Sequence, residues 1–250
     1  MSFLRRTIKT RRSINISRCV SFLLPDRIPR KIHQLWIPPA HLDTIPHDVL
    51  PQIQAWKNFH PDFEHRIWTI NEVAAALPPQ RAERMTRAIR LFRFEAMKAD
   101  LVRLYLLSEF GGFWSDLKVR PRRQWLHDYL RHKLVLIEHF SFAQLPDPTG
   151  ILTNNLIGAA KGSDFIEECI ERAHYNVDNR LSTSVWHVAG TKVLMDIYAE
   201  RSDRRQRLPQ STILKSDYVW SELTELGNGS YSADKLHWSV REKEESIYLE

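Results

Sequence analysis

From Pro29 onward, short apolar runs alternate with segments whose apolar residues follow helical spacing. Apolar runs of about four to eight residues between turn residues are typical of buried strands, and strands that alternate with helices indicate a mainly parallel sheet covered by helices. The pattern therefore predicts an α/β fold. The predicted strands are 31–37, 65–70, 113–119, 133–140, 151–160 and 211–220.

The strongest helical pattern spans residues 93–110, RFEAMKADLVRLYLLSEF, and ends at the glycine pair Gly111 and Gly112. Its Leu, Ala, Met and Glu residues favour a helix, and glycine is common just past a helix end. Further helices are predicted after an N-cap at Asn71, over 121–130, over 163–177 with Ser163 as its cap, and after Gly190 and Thr191.

Two charged residues interrupt the apolar part of this helix. Asp100 and Arg103 are three positions apart and therefore lie on one helix face. An arginine inside an otherwise apolar run needs a partner, and Asp100 is close enough to provide one. The same spacing is also that of an ordinary ion pair, which contributes little at a surface.

A second charged pair, Asp116 and Lys118, lies near the end of the next predicted strand. Strand alternation places both side chains on one face, and ligands of open α/β sheets bind outside the carboxyl ends of strands. Two carboxylates here would hold a divalent cation through oxygen ligands. The ammonium of Lys118 opposes such a cation instead.

The charge is unevenly distributed along the chain. Residues 1–31 hold nine Lys or Arg and a single acid, Asp26, a net charge of +8, whereas the whole chain of 250 residues carries +6. The remaining chain is therefore slightly acidic, and it lacks the basic face of a nucleic-acid-binding domain. Cys19 and Cys169 have neither metal-binding nor disulfide spacing, which favours a reducing compartment.

Residues 1–27 are predicted to form a basic leader. Cations between Arg5 and Arg12 accompany apolar residues, a composition that suits binding to an anionic membrane surface. A disordered basic leader explains the same composition. The apolar run at 20–24 is shorter than the roughly 20 residues of a membrane span.

Five segments in order carry a family resemblance: IPRKIHQLW, KADLVRLYLLSEFGGFWSD, TNNLIGAAKGSDFIEECI, HVAGT and LHW. Together, from about residue 28 to residue 238, they resemble the "DXD" glycosyltransferases of family 32, relatives of the glucosylating bacterial toxins. The resemblance implies a GT-A-like, Rossmann-type nucleotide-sugar-binding fold with a mainly parallel mixed sheet, forming one domain over residues 28–250. It also implies a nucleotide-sugar donor, usually with Mn²⁺ or Mg²⁺, and retention of the anomeric configuration.

The resemblance assigns roles to individual residues. Trp36 matches the aromatic residue that stacks on the donor base, and a core tryptophan is the alternative. Asp100 and Arg103 match residues that hydrogen-bond the donor sugar. Asp116 matches the first acid of the DXD motif, which makes it a catalytic and donor-binding candidate.

Four later residues are assigned in the same way. Asn154 and Asn155 match an asparagine that positions the sugar or the acceptor, and asparagines of a turn are the alternative. His237 and Trp238 match a closing pair that covers the diphosphate. If a cation binds, the resemblance makes Asp116 and His237 its ligands.

Lys118 is the main departure from the family, because it replaces the second acid of the DXD motif. This substitution puts the Mn²⁺ or Mg²⁺ cofactor in doubt. Lys118 then either supplies the positive charge itself, as a catalytic residue near the pyrophosphate, or marks a glycosyltransferase-like scaffold that has lost its metal site.

The resulting functional hypothesis is a retaining hexosyltransferase that uses a UDP- or GDP-linked sugar. Its expected acceptor is a glycan or lipid-linked glycan of bacterial lipopolysaccharide or capsule synthesis. The expected location is cytoplasmic, at the inner membrane if the basic leader binds there. No nucleic-acid partner is expected.

Overall fold

The computed structural model describes residues 27–38, 42–138, 152–203, 210–227 and 238–249. Apart from Arg27, the predicted leader lies outside this range, and so does His237. None of the helices within the described range is long and apolar enough to cross a membrane.

The strands, numbered in chain order, are β1 Lys31–Leu35, β2 Glu64–Trp68, β3 Gly112–Ser115, β4 Val119–Pro121, β5 Leu134–Glu138, β6 Leu152–Ala159, β7 Ser211–Leu214 and β8 Thr224–Leu226. The helices are α1 Leu50–Phe59, α2 Ile70–Ala76, α3 Pro79–Ile89, α4 Glu95–Phe110, α5 Asp164–Asp178, α6 Val185–Val188, α7 Thr191–Asp203, α8 Ser216–Tyr218 and α9 Trp238–Arg241. A 3-10 turn covers Leu126–Tyr129, and a π-helical turn covers Val219–Leu223.

Six strands form the central sheet, in the order β2-β1-β3-β6-β5-β7. The pairs β1–β2, β1–β3 and β5–β7 are parallel, and β6 runs antiparallel to both of its neighbours. The predicted α/β class with a mainly parallel mixed sheet is therefore confirmed. Strands β4 and β8 form a separate antiparallel pair, with Val119 opposite Leu226.

The sheet lies between two apolar layers, and the alternation of strand side chains explains how. In β3, Trp114 packs into the layer that contains α4, whereas Phe113 packs into the opposite layer with Trp56 and Trp125. Helix α4 is buried along most of its length. The core therefore fixes α4 against the same strands that carry the candidate residues.

The glycine pair between α4 and β3 is required by the backbone. Gly111 and Gly112 have φ angles of 62° and 105°, which disfavour residues with side chains. A Cβ at Gly112 would lie 2.7 Å from the carbonyl oxygen of Lys31, and one at Gly111 would lie 2.6 Å from the backbone nitrogen of Lys161. The chain can therefore reverse from helix to strand without a connecting loop.

Several predicted boundaries are wrong. The helix predicted at 121–130 is absent: Pro121 ends β4, where it lies opposite Thr224, and the 3-10 turn follows. The strand predicted at 211–220 ends at Leu214 and gives way to α8 and the π-helical turn. The cap of α2 is Thr69 rather than Asn71, since Thr69 and Glu72 form a reciprocal capping box.

A buried histidine links β1 to this helix-to-strand junction. Nε2 of His33 is 2.8 Å from the carbonyl oxygen of Gly111, and the Trp68 Nε1–H donates to His33 Nδ1 at 3.1 Å. Because Trp68 can only donate, Nδ1 carries no proton, and the neutral Nε2–H tautomer satisfies both partners. Burial lowers the pKa of His33 to about 4.

This depressed pKa predicts acid sensitivity of the fold. Unfolded His33 takes up a proton below its ordinary pKa of 6.5, and the folded protein does so only near 4, so stability falls as pH decreases between these values. The loss reaches about 2 kcal/mol by pH 5. We expect His33→Gln to reduce by that amount the difference in unfolding free energy between pH 7.5 and pH 5, measured by urea denaturation.

The matched control is His47→Gln, which replaces an exposed histidine, and the pH dependence assigned to His33 should persist in this variant. An identical pH dependence in wild type and His33→Gln would contradict the assignment.

Candidate functional site

Asp116 is the first residue after β3, near the middle of the sheet. Its backbone nitrogen donates to the carbonyl oxygen of Asn155 at 2.9 Å, and its own carbonyl accepts from the Val119 nitrogen at 3.0 Å. The chain therefore turns at Leu117 and Lys118 instead of continuing as a strand. The prediction that strand alternation places Asp116 and Lys118 on one face is wrong for this reason.

Arg103 connects three parts of the site. Its Nη2 lies 2.6 Å from Asp100 Oδ1, and its Nη1 lies 3.5 Å from Asp116 Oδ1. Nη1 also donates to the carbonyl oxygen of Asn154 on β6. Asp100 and Arg103 are only 7% and 4% exposed, so this is a buried charge cluster and not the surface ion pair considered as the alternative.

The indole of Trp114 supports the same carboxylate. Its Nε1–H donates to Asp116 Oδ1 at 2.9 Å, and the Arg103 guanidinium lies 4.9 Å from the ring centroid. Oδ1 of Asp116 therefore already has hydrogen-bonding and ionic partners within the protein. The side chain is 27% exposed, so part of it faces the solvent.

The two asparagines have different partners on β6. Asn154 Nδ2 donates to Asp100 Oδ1 at 2.9 Å, which places its side chain in the charge cluster. Asn155 Oδ1 accepts from the Thr153 hydroxyl at 2.8 Å, and its backbone carbonyl holds Asp116. Both asparagines lie within β6 and not in a turn.

Burial raises the pKa of Asp100 to about 6. Arg103 opposes this increase, the charge of Asp116 adds to it, and the hydrogen bond from Asn154 opposes it. Asp100 is therefore an ionised acceptor at neutral pH that becomes a protonated donor in mildly acidic solution.

Gly190 packs closely against the Asp100 carboxylate. A Cβ at this position would lie 2.7 Å from Asp100 Oδ2 and 2.9 Å from the carbonyl oxygen of Trp186. The HVAGT turn therefore brings the chain before α7 directly against the carboxylate. The sequence signal for this contact was the HVAGT segment, which was assigned to a helix start and to the family resemblance but not to the charge cluster.

The remaining predicted donor residues lie at two other places. Trp36, directly after β1, is 8% exposed and packs with Val49, Ile53 and Leu117, so it touches the turn that contains Lys118. Trp238 begins α9, and its ring centroid is 6.2 Å from that of Trp186. The stacking role of Trp36 and the covering role of Trp238 stay predictions.

Lys118 is half-buried, and its backbone carbonyl accepts from the Gly227 nitrogen at 2.7 Å. Within the described ranges its ammonium makes no ion pair. The same ranges contain no group of three His, Cys, Asp or Glu residues that could hold a metal ion. Asp116 alone does not make a cation site there, and its predicted co-ligand His237 lies outside the described residues.

Comparison with solved structures identifies the architecture. The chain superimposes on the ligand-free glycosyltransferase domain of the YGT toxin with a TM-score of 0.55 at 9% identity, covering 85% of this chain and 84% of the toxin domain. The UDP-bound form of the same toxin domain gives a TM-score of 0.54, with 81% of this chain and 84% of the toxin domain covered. The PaToxG glycosyltransferase gives a TM-score of 0.52 at 16% identity, with 70% of each chain covered. The fold is GT-A-like.

Sequence comparisons locate the related segment. Residues 46–136 match the family model described as a glycosyltransferase sugar-binding region containing a DXD motif. Inositol phosphoceramide mannosyltransferase 3 of Schizosaccharomyces pombe is 28% identical over 57% of this chain, and mannosyl phosphorylinositol ceramide synthase CSH1 of Saccharomyces cerevisiae is 26% identical over 60%. The matched parts cover only 36% and 37% of these relatives.

These matches support the coarse resemblance to DXD glycosyltransferases. The matched segment contains Asp100, Arg103, Asp116 and Lys118. The curated relatives are fungal sphingolipid mannosyltransferases, whereas the sequence resemblance was drawn to bacterial polysaccharide enzymes.

The charge cluster predicts a coupled titration. Because ionised Asp116 disfavours ionised Asp100, Asp116→Asn should lower the pKa of Asp100 from about 6 toward its ordinary value of 3.8. Carboxyl ¹³C chemical shifts over pH 3–8 would measure this pKa. The exposed Asp128 provides the control, since Asp128→Asn should leave the titration of Asp100 in place. A pKa of Asp100 that is unchanged in Asp116→Asn would contradict the proposed coupling.

Proposed function

We propose that this protein is a retaining glycosyltransferase that moves a hexose from a nucleotide diphosphate sugar to an acceptor hydroxyl. The observation that carries the proposal is the buried cluster of Asp100, Arg103 and Asp116 beside the carboxyl end of β3. This cluster lies in the matched sugar-binding segment and in a GT-A-like fold. Ligands of open α/β sheets bind at such strand ends.

The chemistry assigned to the cluster is positioning and charge stabilisation. Ionised Asp100 accepts hydrogen bonds from sugar hydroxyls, and Arg103 holds the Asp100 carboxylate in a fixed orientation. During transfer, the bond between the anomeric carbon and the phosphate oxygen breaks while the glycosidic bond forms on the same face. The departing phosphate takes the acceptor's proton, so no protein nucleophile is needed.

Mannose is the hexose that the relatives favour, because both are named as mannosylating enzymes of inositol phosphoceramide. A lipid-linked acceptor agrees with these names. The proposal therefore takes a glycolipid or lipid-linked glycan as acceptor, with inositol phosphoceramide and lipopolysaccharide or capsule precursors as the two cases to compare. We also propose that the protein acts in the cytoplasm at the inner membrane surface, because the composition of the basic leader suits binding to an anionic membrane.

Lys118 determines how the diphosphate is neutralised. One acid and one ammonium stand where two acids would hold Mn²⁺ or Mg²⁺, so the proposal assigns part of the charge compensation to Lys118 itself. The same substitution supports a second candidate function, a scaffold that binds nucleotide sugar without turnover. Transfer or hydrolysis of any donor excludes the scaffold.

A donor screen tests the proposal. UDP- and GDP-linked hexoses would be incubated with inositol phosphoceramide and with lipopolysaccharide core acceptors, with Mn²⁺ and with EDTA, and products read by mass spectrometry. We expect product that survives EDTA, because Lys118 supplies charge without a cation. Lys118→Asp should make the activity depend on Mn²⁺, since a second carboxylate restores an oxygen ligand. Wild-type activity abolished by EDTA would contradict the role of Lys118.

Arg103 provides a test of the site itself. Arg103→Lys keeps the charge but loses the planar fork that reaches Asp100, Asp116 and Asn154 together. Turnover should fall at least tenfold, or by about 1.4 kcal/mol in transition-state stabilisation. Arg84→Lys, which alters a pair with Glu171 between α3 and α5, is the matched control. Equal turnover in both variants, with unchanged melting temperatures, would exclude Arg103 from the site.

A further inference from the structure

An exposed tryptophan lies next to the charge cluster, and the assigned donor residues do not include it. Trp186 is 40% exposed in the short helix α6, whereas Val185 and Val188 of the same helix are buried. These two valines anchor α6 in the core, so the indole is held outward by a fixed backbone. Ligand sites combine aromatic side chains with a few polar groups, so the neighbourhood of the charge cluster distinguishes Trp186 from other exposed apolar residues.

The position of Trp186 relative to Asp100 follows from Gly190. The two oxygens of the Asp100 carboxylate face different groups: Oδ1 contacts Arg103 and Asn154, and Oδ2 faces Gly190. Gly190 in turn packs against the main chain of Trp186. Trp186 therefore borders the cluster across Oδ2, on the side of the carboxylate away from its contact with Arg103.

A second aromatic ring enlarges this surface. The centroid of Trp238 lies 6.2 Å from that of Trp186, and the two rings are inclined at 52°. The Val185 nitrogen donates to the carboxylate of Glu242 at 2.9 Å, which fixes α6 to the residues that follow α9. Two tryptophans from separate elements thus form one aromatic surface, the Trp186–Trp238 surface.

We propose that the Trp186–Trp238 surface binds the acceptor, through stacking of a six-membered polyhydroxylated ring on the indole of Trp186. Such rings have an apolar C–H face that packs on an aromatic face, while their hydroxyls remain free to reach a donor sugar bound at the neighbouring cluster. This inference rests on the proposed function, because it takes the cluster of Asp100, Arg103 and Asp116 as the donor sugar site. A hexose and an inositol ring share the required chemistry.

Binding can be tested without turnover. Saturation-transfer NMR would be recorded on the full chain with methyl α-D-mannopyranoside and, separately, with myo-inositol. We expect saturation of the C–H protons of at least one ring, a loss of that signal of at least fivefold in Trp186→Ala, and its retention in Trp186→Phe. The ring that responds identifies a sugar or an inositol as the acceptor chemistry.

Tyr218 is the matched control, since it is an aromatic residue with 41% exposure in α8. Tyr218→Ala should keep the signal, and melting temperatures would show that each variant is folded. Absence of binding of both rings to wild type, or equal signals in wild type and Trp186→Ala, would overturn the inference.

Kinetics separates this inference from the proposed function. With an active donor from the screen, Trp186→Ala should raise the acceptor KM at least tenfold and leave the donor KM within about twofold. Transfer with an unchanged acceptor KM would refute the acceptor site and leave the glycosyltransferase function intact. Ring binding that depends on Trp186 in a protein without transfer would refute the function and leave the ring site.

Discussion

The buried guanidinium of Arg103 is the interaction on which the site depends. A charge that is 4% exposed is stable only when its hydrogen-bonding groups are satisfied, and here Asp100, Asp116 and the Asn154 carbonyl share that task. These partners belong to α4, to the turn after β3 and to β6. Arg103 therefore joins a helix to two adjacent strands, and removal of any partner leaves part of a buried charge unpaired.

The glycines around the cluster have a common role. Gly111 and Gly112 allow β3 to begin almost directly after α4, so Asp116 lies only six residues beyond the helix end at Phe110. Gly190 allows the chain before α7 to approach the Asp100 carboxylate. These positions bring the backbone to distances that a side chain would prevent.

Much of this arrangement was predictable because it depends on local patterns. The helical spacing of residues 93–110 placed Asp100 and Arg103 on one face, and the glycine pair marked the helix end. The cap of α2 was predictable too, since Glu72 three residues after Thr69 is the signature of a capping box. Asn71 was chosen on residue type alone.

The errors arose where contacts distant in sequence decide the structure. Pro121 lies in a strand because it pairs with β8, about one hundred residues later, and no local pattern contains that information. The turn at Leu117 and Lys118 likewise depends on the hydrogen bond from Asp116 to Asn155. No role in the site was predicted for Trp114, because the contact of its N–H with Asp116 depends on the turn that follows β3.

The turn after Asp116 also changes the role that can be assigned to the Lys118 ammonium. In a continuous strand, the ammonium would lie on the same face as the carboxylate and would neutralise it. In the turn, Asp116 Oδ1 accepts a hydrogen bond from Trp114 and lies 3.5 Å from Arg103 Nη1, so these two residues hold the carboxylate in position. Within the described residues Lys118 makes no ion pair with Asp116, and the proposed function assigns its charge to an anion that approaches the turn. A diphosphate is such an anion, and an ammonium attracts it as a divalent cation would.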